Sequence, residues 1–430
     1  MLHHNDVISL AALLLENEKF RRLMMARFPI LFIDEYQDTE KTLVDAIKAH
    51  LMTPGQGPLF GLFGDSWQKI YGTGCGSWEH PSLEVIGKQA NFRSVATVVN
   101  ALNNIRSELP QFPKDPTSVG SINIFHTNSW TMGRRTESQW KDDLPSDGAR
   151  QALELAKRDL TASGWDFASN GTKILMLTHK VLAGEQGYGD LADVFDYTES
   201  YIKKEDPHIA YFFDIIEPLC AAYQNRRYGD MLAILSERAG LIRTHAEKVQ
   251  WRQEMDVLLE LRRTSNIGIV LDYLKNVAIV LPMPRSLKKI DDERMQRDSE
   301  PSDDESSASK RLRAMRSIPY SEVVAAERFV DGSTPFSTKH GVKGAEFENV
   351  LVVFGRGWNL YNFNQFLEWA PIPPAAKADS YDRNRNLFYV ACSRSKRRLA
   401  LLFTQKLSSD ALEQLSNWFG NDAMSAIRQE

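Results

Sequence analysis

The sequence predicts an α/β protein built on buried parallel sheets and interrupted by a helical segment. Three observations predict it. Short, continuous apolar runs recur at Pro29-Ile30-Leu31-Phe32-Ile33 and at 58–63, 121–125, 172–178, 349–354 and 398–404. Runs of this kind suit strands covered on both faces. Stretches with helical apolar spacing alternate with them, as in layered α/β folds. From about 186 to 290 the strand runs fade and amphipathic helices take over.

Taken in order, residues 8–24 carry Leu10, Leu13, Leu14 and Leu23 beside Glu16, Glu18 and Lys19, which predicts one helix. A strand at 29–33 follows and ends abruptly in acids. A helix over 40–52 and a second strand at 58–63 complete a first unit, residues 1–87. A second unit begins near 88. Val95, Val98, Val99, Leu102 and Ile105 predict a helix over 95–106, and Ser94 is a plausible N-cap. This unit runs to 185, with strands at 121–125 and 172–178. Residues 186–318 form a helical insertion, in which Trp251, Met255, Leu258 and Leu259 share a face. Within it, 291–316 include Asp303-Asp304-Glu305-Ser306-Ser307 and almost nothing apolar, which predicts a mobile acidic, serine-rich linker. Residues 319–430 return to strands and complete the second α/β unit.

Composition narrows the function classes. The 430 residues are 43% hydrophobic, enough for real cores, and carry a net charge of −4. That argues against a protein that coats nucleic acid, but not against one that confines positive charge to a groove. Cys75, Cys220 and Cys392 are far apart and form no CxxC pair. A disulfide framework or zinc ribbon is not expected, and a reducing cytoplasm is. The start lacks a basic n-region and no segment has the length to cross a membrane, so a soluble, cytoplasmic protein is expected.

The chemistry concentrates in a few strings. Ile33-Asp34-Glu35-Tyr36-Gln37-Asp38-Thr39 places two acids where a strand emerges, the end at which α/β sheets bind ligands. One carboxylate, Asp34, suits Mg²⁺ beside phosphate oxygens. Its neighbour Glu35 can accept a proton from an attacking water. Gln68 sits on a loop after a strand, where its amide can meet a phosphate or that water; a plain surface glutamine is the alternative. Phe92 and Arg93 precede a helix N-terminus, which favours anions. The ring suits a base and the guanidinium a phosphate, with core packing of Phe92 as the alternative. Leu387, Val390, Ala391 and Arg394 share one helical face, and an inward arginine is costly unless it meets an anion. An exposed basic helix end, with Lys396, Arg397 and Arg398, is the alternative.

DEYQDT resembles the Walker B motif of UvrD/Rep-type superfamily 1 helicases, and four further strings agree in order. These are Gly64-Asp65-Ser66-Trp67-Gln68-Lys69-Ile70-Tyr71, Asn91-Phe92-Arg93-Ser94, Thr338 to Phe347, and Arg385 to Arg394. The resemblance implies a RecA-like P-loop NTPase fold, with an incomplete first motor domain and a helical insertion in the second. It implies ATP as substrate, Mg²⁺ held by Asp34, and catalytic roles for Glu35, Gln68, Arg93 and Arg394. Phe92, Arg93, Gly344, Glu346 and Arg394 would bind ATP, Glu346 at the ribose. Tyr71, His340 and Lys343 would face single-stranded or duplex DNA, with helix capping an alternative for His340. Where relatives carry an aromatic-arginine pair, this chain has Thr73 and Gly74; Trp78 is a candidate substitute, or else a core residue.

One family motif does not occur. No Gly-Lys-Ser or Gly-Lys-Thr is present in the 430 residues, so the loop that cradles phosphates is not found. Three expectations follow: an N-terminally truncated helicase, a non-hydrolysing structural or regulatory subunit, or a first half supplied by another chain. Little ATP hydrolysis is expected of these residues alone. Gly357-Trp358-Asn359-Leu360-Tyr361-Asn362-Phe363 is similar to the helicase component of Gabija-type anti-phage systems, whose other component is a nuclease with an ATPase domain. DNA repair is the general family alternative.

Overall fold

The computed structural model describes residues 4–52, 57–69, 73–167, 171–176, 183–184, 186–195, 199–235, 244–276, 283–296, 307–331, 336–338, 345–355 and 361–428. It divides into two compact units: residues 1–177 with 338–430, and residues 178–337.

Among the described residues the first unit holds three parallel sheets, the smallest a pairing of Ala90–Asn91 with Phe112–Pro113. Strands β1 (Ile30–Asp34) and β2 (Leu59–Phe63) pair in register from Ile30 opposite Leu59 to Asp34 opposite Phe63. One face of this pair, with Leu31, Ile33, Phe60 and Leu62, packs on a core of Leu15, Val44, Ile47, Leu51, Met52 and Trp78. The other face is bare: Ile30, Phe32, Leu59 and Phe63 are 51%, 71%, 67% and 54% exposed. The expectation of a strand buried on both sides is therefore corrected to one covered side. The predicted 8–24 helix is also corrected. It is two helices, His4–Glu16 and Glu18–Arg27. The break comes at Asn17, whose side chain accepts the Phe20 N–H at 3.1 Å and so caps the second helix. Leu10, Leu13, Leu14 and Leu23 are exposed.

The larger sheet uses β3 (Ser121–His126), β4 (Thr172–Met176), β5 (Phe347–Phe354), β6 (Ser395–Phe403) and β7 (Met424–Ala426). Their spatial order is β7-β3-β6-β5-β4, and every pair is parallel. Central β5 and β6 explain why their sequences read as unbroken apolar runs. Val350 to Phe354 and Leu399 to Phe403 are all buried, since helices and partner strands leave neither face to water. Phe354 stacks at 5.0 Å on Phe388 and at 5.1 Å on Phe403, which anchors the Ala378–Cys392 helix to the sheet.

The second unit is built of helices, among them Pro207–Tyr211, Glu217–Gln224, His245–Thr264, Ile267–Asn276, Arg285–Gln296, Ser307–Ser317 and Ser321–Val330. Trp251, Met255 and Leu258 are buried as their spacing predicts. The His245–Thr264 helix opens with a capping box, Thr244 and Glu247 each bonding the other's backbone N–H. The linker expected at 291–316 is corrected. Residues up to Gln296 belong to one helix and Ser307–Ser317 to another, because Asp291, Leu312 and Met315 are buried against the unit. The acidic string Asp303 to Ser306 lies outside the described residues. No helix among the described residues is long and apolar enough to cross a membrane.

Candidate nucleotide site

Glu35, Gln68, Phe92, Arg93, Arg106 and Glu346 line one groove of about 740 Å³ in the first unit. Its carboxylate wall is the end of β1. Asp34 is the last strand residue, and its Oδ1 accepts the Glu35 N–H at 2.9 Å. Glu35 then takes a left-handed backbone, φ 50° and ψ 43°. A non-glycine there costs on the order of 1 kcal/mol or more and persists only where neighbours enforce it.

Gln37 is one of those neighbours. It is fully buried, donates Nε2–H to Glu35 Oε2 at 2.5 Å, and accepts the Asp65 N–H at 3.1 Å through Oε1. It thus ties the end of β1 to the end of β2. The approach is so close that a Cβ on Gly64 would fall 2.2 Å from Gln37 Oε1. Glycine at 64 is a spatial requirement of this joint.

Beyond Gly64 the chain makes a tight 3₁₀ turn, Ser66–Gln68, capped by Asp65 through the Trp67 N–H at 3.1 Å. Gln68 Oε1 accepts a bond from Arg394 Nη2 at 3.0 Å. Arg394 is 1% exposed, and its Nε donates back to Val390 O at 3.1 Å. Leu387, Val390 and Ala391 are buried beside it, so the inward face read from the sequence is present. The helix itself ends at Cys392, and Arg394 follows it. Burial, then the charge of Arg93, brings the Arg394 pKa down to about 10, with Glu35 opposing. It stays protonated at neutral pH.

Arg93 lies on the same side. Its Nε donates to Glu346 Oε2 and its Nη1 to Ser393 O, both at 3.0 Å. Asn91 presents it, Oδ1 accepting the Arg93 and Ser94 N–H groups at 3.0 and 2.9 Å. The expected N-cap is corrected here: Val95 holds that position before the Ala96–Ile105 helix. Ser94 Oγ donates instead to Ser395 O at 2.7 Å, a bond to β6. Glu346 also meets Lys396 Nζ at 2.8 Å, and these two cations hold its carboxyl below the usual range. Phe92 is 69% exposed on the groove, with the Lys88 ammonium 6.0 Å from its ring centre, so it is not a core residue.

The other expected positions divide. Tyr71, His340, Lys343 and Gly344 lie outside the described residues. Trp78 is 6% exposed in the core under β1 and β2, which removes it as a stacking surface. A Cβ on Gly74 would fall 2.5 Å from the Gln37 carbonyl oxygen, so no side chain fits there. Sequence reasoning passed over Gln37, Asp65 and Arg106, and it read Lys396 only as part of an exposed basic helix end, whereas Lys396 lies on β6 and pairs with Glu346. Gln37 and Asp65 stand inside strings already noted; Arg106 carries no local signal.

Donor chemistry fits a magnesium nucleotide. Among the described residues no cluster of three or more metal-ligating side chains exists. A pair such as Asp34 and Glu35 is what Mg²⁺ uses when phosphates complete its shell. Two guanidinium groups, at Arg93 and Arg394, supply the opposing positive charge.

Residues 1–74 match the UvrD/REP helicase N-terminal domain. The Gabija protein GajB of Bacillus cereus (strain HuB5-5) is 22% identical across 93% of this chain and 62% of its own length. The ATP-dependent DNA helicase Rep of Escherichia coli (strain K12) and that of Salmonella typhimurium (strain LT2) are each 30% identical across 26% of this chain and 17% of theirs. The chain thus spans less than two thirds of these relatives. It is similar to the UvrD/Rep helicases and, over nearly all of its length, to GajB.

Proposed function

We propose that this chain forms the sensing and triggering part of an ATP-driven DNA helicase or translocase working in anti-phage defence. The observation that carries the reading is the buried Arg394, bonded to Gln68, which lines the groove together with Glu35 and Arg93. A cation buried without a carboxylate partner in contact is costly, and an anion entering the groove relieves the cost. The γ-phosphate of ATP is such an anion.

In this reading Asp34 would hold Mg²⁺, which would supply positive charge against the phosphates. Glu35, fixed by Gln37, orients the attacking water and takes its proton. Gln68 senses the phosphate, while Arg93 and Arg394 stabilise charge on the transferring group. Phe92 stacks on the base. Glu346, paired with Arg93 and Lys396, meets the ribose after those pairs rearrange. Tyr71, His340 and Lys343 face the DNA strand, and Gly344 admits the nucleotide. Movement is 3′ to 5′, as the UvrD/Rep resemblance implies, with a nuclease carrying an ATPase domain as partner in the cytoplasm. DNA repair is the alternative setting.

A second reading keeps the groove but not the turnover. In it, the chain is a non-hydrolysing structural or regulatory subunit. Phosphate release and phage protection, measured on the protein as its host makes it, separate the two. The first reading expects Arg394→Ala and Glu35→Gln each to lower DNA-stimulated phosphate release by about 10³-fold or more, and to abolish protection. Full protection in both variants sinks it and supports the second.

A further inference from the structure

Arg106 lies just past the Ala96–Ile105 helix, its N–H bonded to Leu102 O at 2.9 Å. It is 8% exposed, a rare place for an arginine unless it is paired. Its Nη1 donates to both Asp65 oxygens, at 2.9 and 2.7 Å. The same guanidinium lies 4.8 Å from the Trp67 ring centre and 5.6 Å from that of Tyr389. A second guanidinium, of Arg385, lies 4.2 Å from Trp67, and Tyr389 meets that ring edge-on at 5.3 Å. Asn386 Nδ2 reaches Ser66 O at 3.3 Å and Lys69 O at 3.4 Å. Two helices therefore grip one short turn from both ends.

The grip has a direction. Asp65 both caps the Ser66–Gln68 turn and accepts the Gln68 Nε2–H at 3.4 Å. Gln68 Oε1 takes the bond from Arg394. An unbroken path runs Arg106–Asp65–Gln68–Arg394. Asp65, the local partner of the Gln68 amide, is itself held by a residue 41 positions away. Both bonds from Arg106 leave one nitrogen, so a lysine could supply the charge and reach Asp65, but it has no flat face to lay against Trp67.

We propose that Arg106 is a positioning residue: through Asp65 and Trp67 it sets the Gln68 amide against Arg394, and so aligns the phosphate sensor with the helix that follows Arg93. The role of Gln68 in turnover rests on the function proposed above; its placement by Arg106 does not.

The test reads Gln68 directly. In perdeuterated, ¹⁵N-glutamine-labelled protein 1–430, the Gln68 side-chain amide is identified by its loss in Gln68→Leu. Arg106→Lys and Arg106→Gln are expected to shift or broaden that resonance while the Gln414 amide, in the Ser409–Phe419 helix, stays in place. A folded Arg106→Lys protein with an unmoved Gln68 amide overturns the proposal. If Arg106→Gln fails to fold, Arg106→Lys decides alone. In the host-made protein, Arg106→Lys should also reduce kcat at least tenfold. A loss of kcat without a Gln68 shift likewise overturns it. A Gln68 shift in a protein with no turnover at all leaves the positioning intact and removes the ATPase reading.

Discussion

At the scale of single residues, Arg394 poses a question of stability against function. It is 1% exposed, bonded to a backbone carbonyl and an amide, and its pKa is brought down to about 10, chiefly by burial. A buried cation kept for stability pairs with a carboxylate, and removing it costs about 3–5 kcal/mol. One kept for an incoming anion strains the empty site, and an apolar replacement is then neutral or stabilising. We expect Arg394→Met to leave the urea midpoint unchanged or higher while phosphate release is lost. A midpoint drop equivalent to about 3 kcal/mol would assign Arg394 to the fold instead. The inward position of Arg394 was legible from Leu387, Val390 and Ala391 at helical spacing. That of Arg106 was not, because the carboxylate explaining its burial lies on another loop. Gln37 was legible as part of a string, but its tie between β1 and β2 appears only once Asp65 is beside it.

At the scale of elements, a buried network joins four helices of the 178–337 unit. His208, fully buried, has ring nitrogens 3.5 Å from Asp206 and from Asp291, close enough for charge attraction though not aligned as hydrogen bonds. Lys275, Arg316 and Arg294 face the same two acids. Burial opposes charge on His208, but the two carboxylates prevail and raise its pKa; Asp291 is pulled down to about 2 against its own burial. The raised histidine contributes stability below its unfolded pKa of about 6.5, lost as pH rises through the folded value. The depressed aspartates contribute above about 3.9, lost as pH falls towards 2. The unit should therefore melt highest between about pH 4 and 6.5, and His208→Gln should flatten the decline on the alkaline side. An unchanged decline in that variant, followed by thermal melting, would refute this. None of it could be read from the sequence, where 291–316 looked like a charged linker: Asp291 sits 83 positions from His208. Strands fared better. The runs that became β5 and β6 were legible because central parallel strands need apolar residues on both faces. The run that became β1 looked identical, yet only one of its faces is covered.

At the scale of the molecule, the chain divides into two compact units, residues 1–177 with 338–430 and residues 178–337. The bare side of β1 and β2 has its own consequence. Ile30, Phe32, Leu59 and Phe63 offer water an apolar sheet surface, with Phe32 and Phe63 in edge-on contact at 5.5 Å. Contiguous surfaces of this kind are uncommon on proteins at rest. Reporter dyes that brighten in oily surroundings ordinarily signal a loosened, partly unfolded chain. Here they should brighten on the native fold, within a cooperative melting transition, and Phe32→Ser with Leu59→Thr should quench most of that glow without lowering secondary structure. A dim native protein would show that something already shelters this wall of rings. For anyone purifying residues 1–430, the brightness of such a dye is no gauge of misfolding; it marks where the sheet is still open to company.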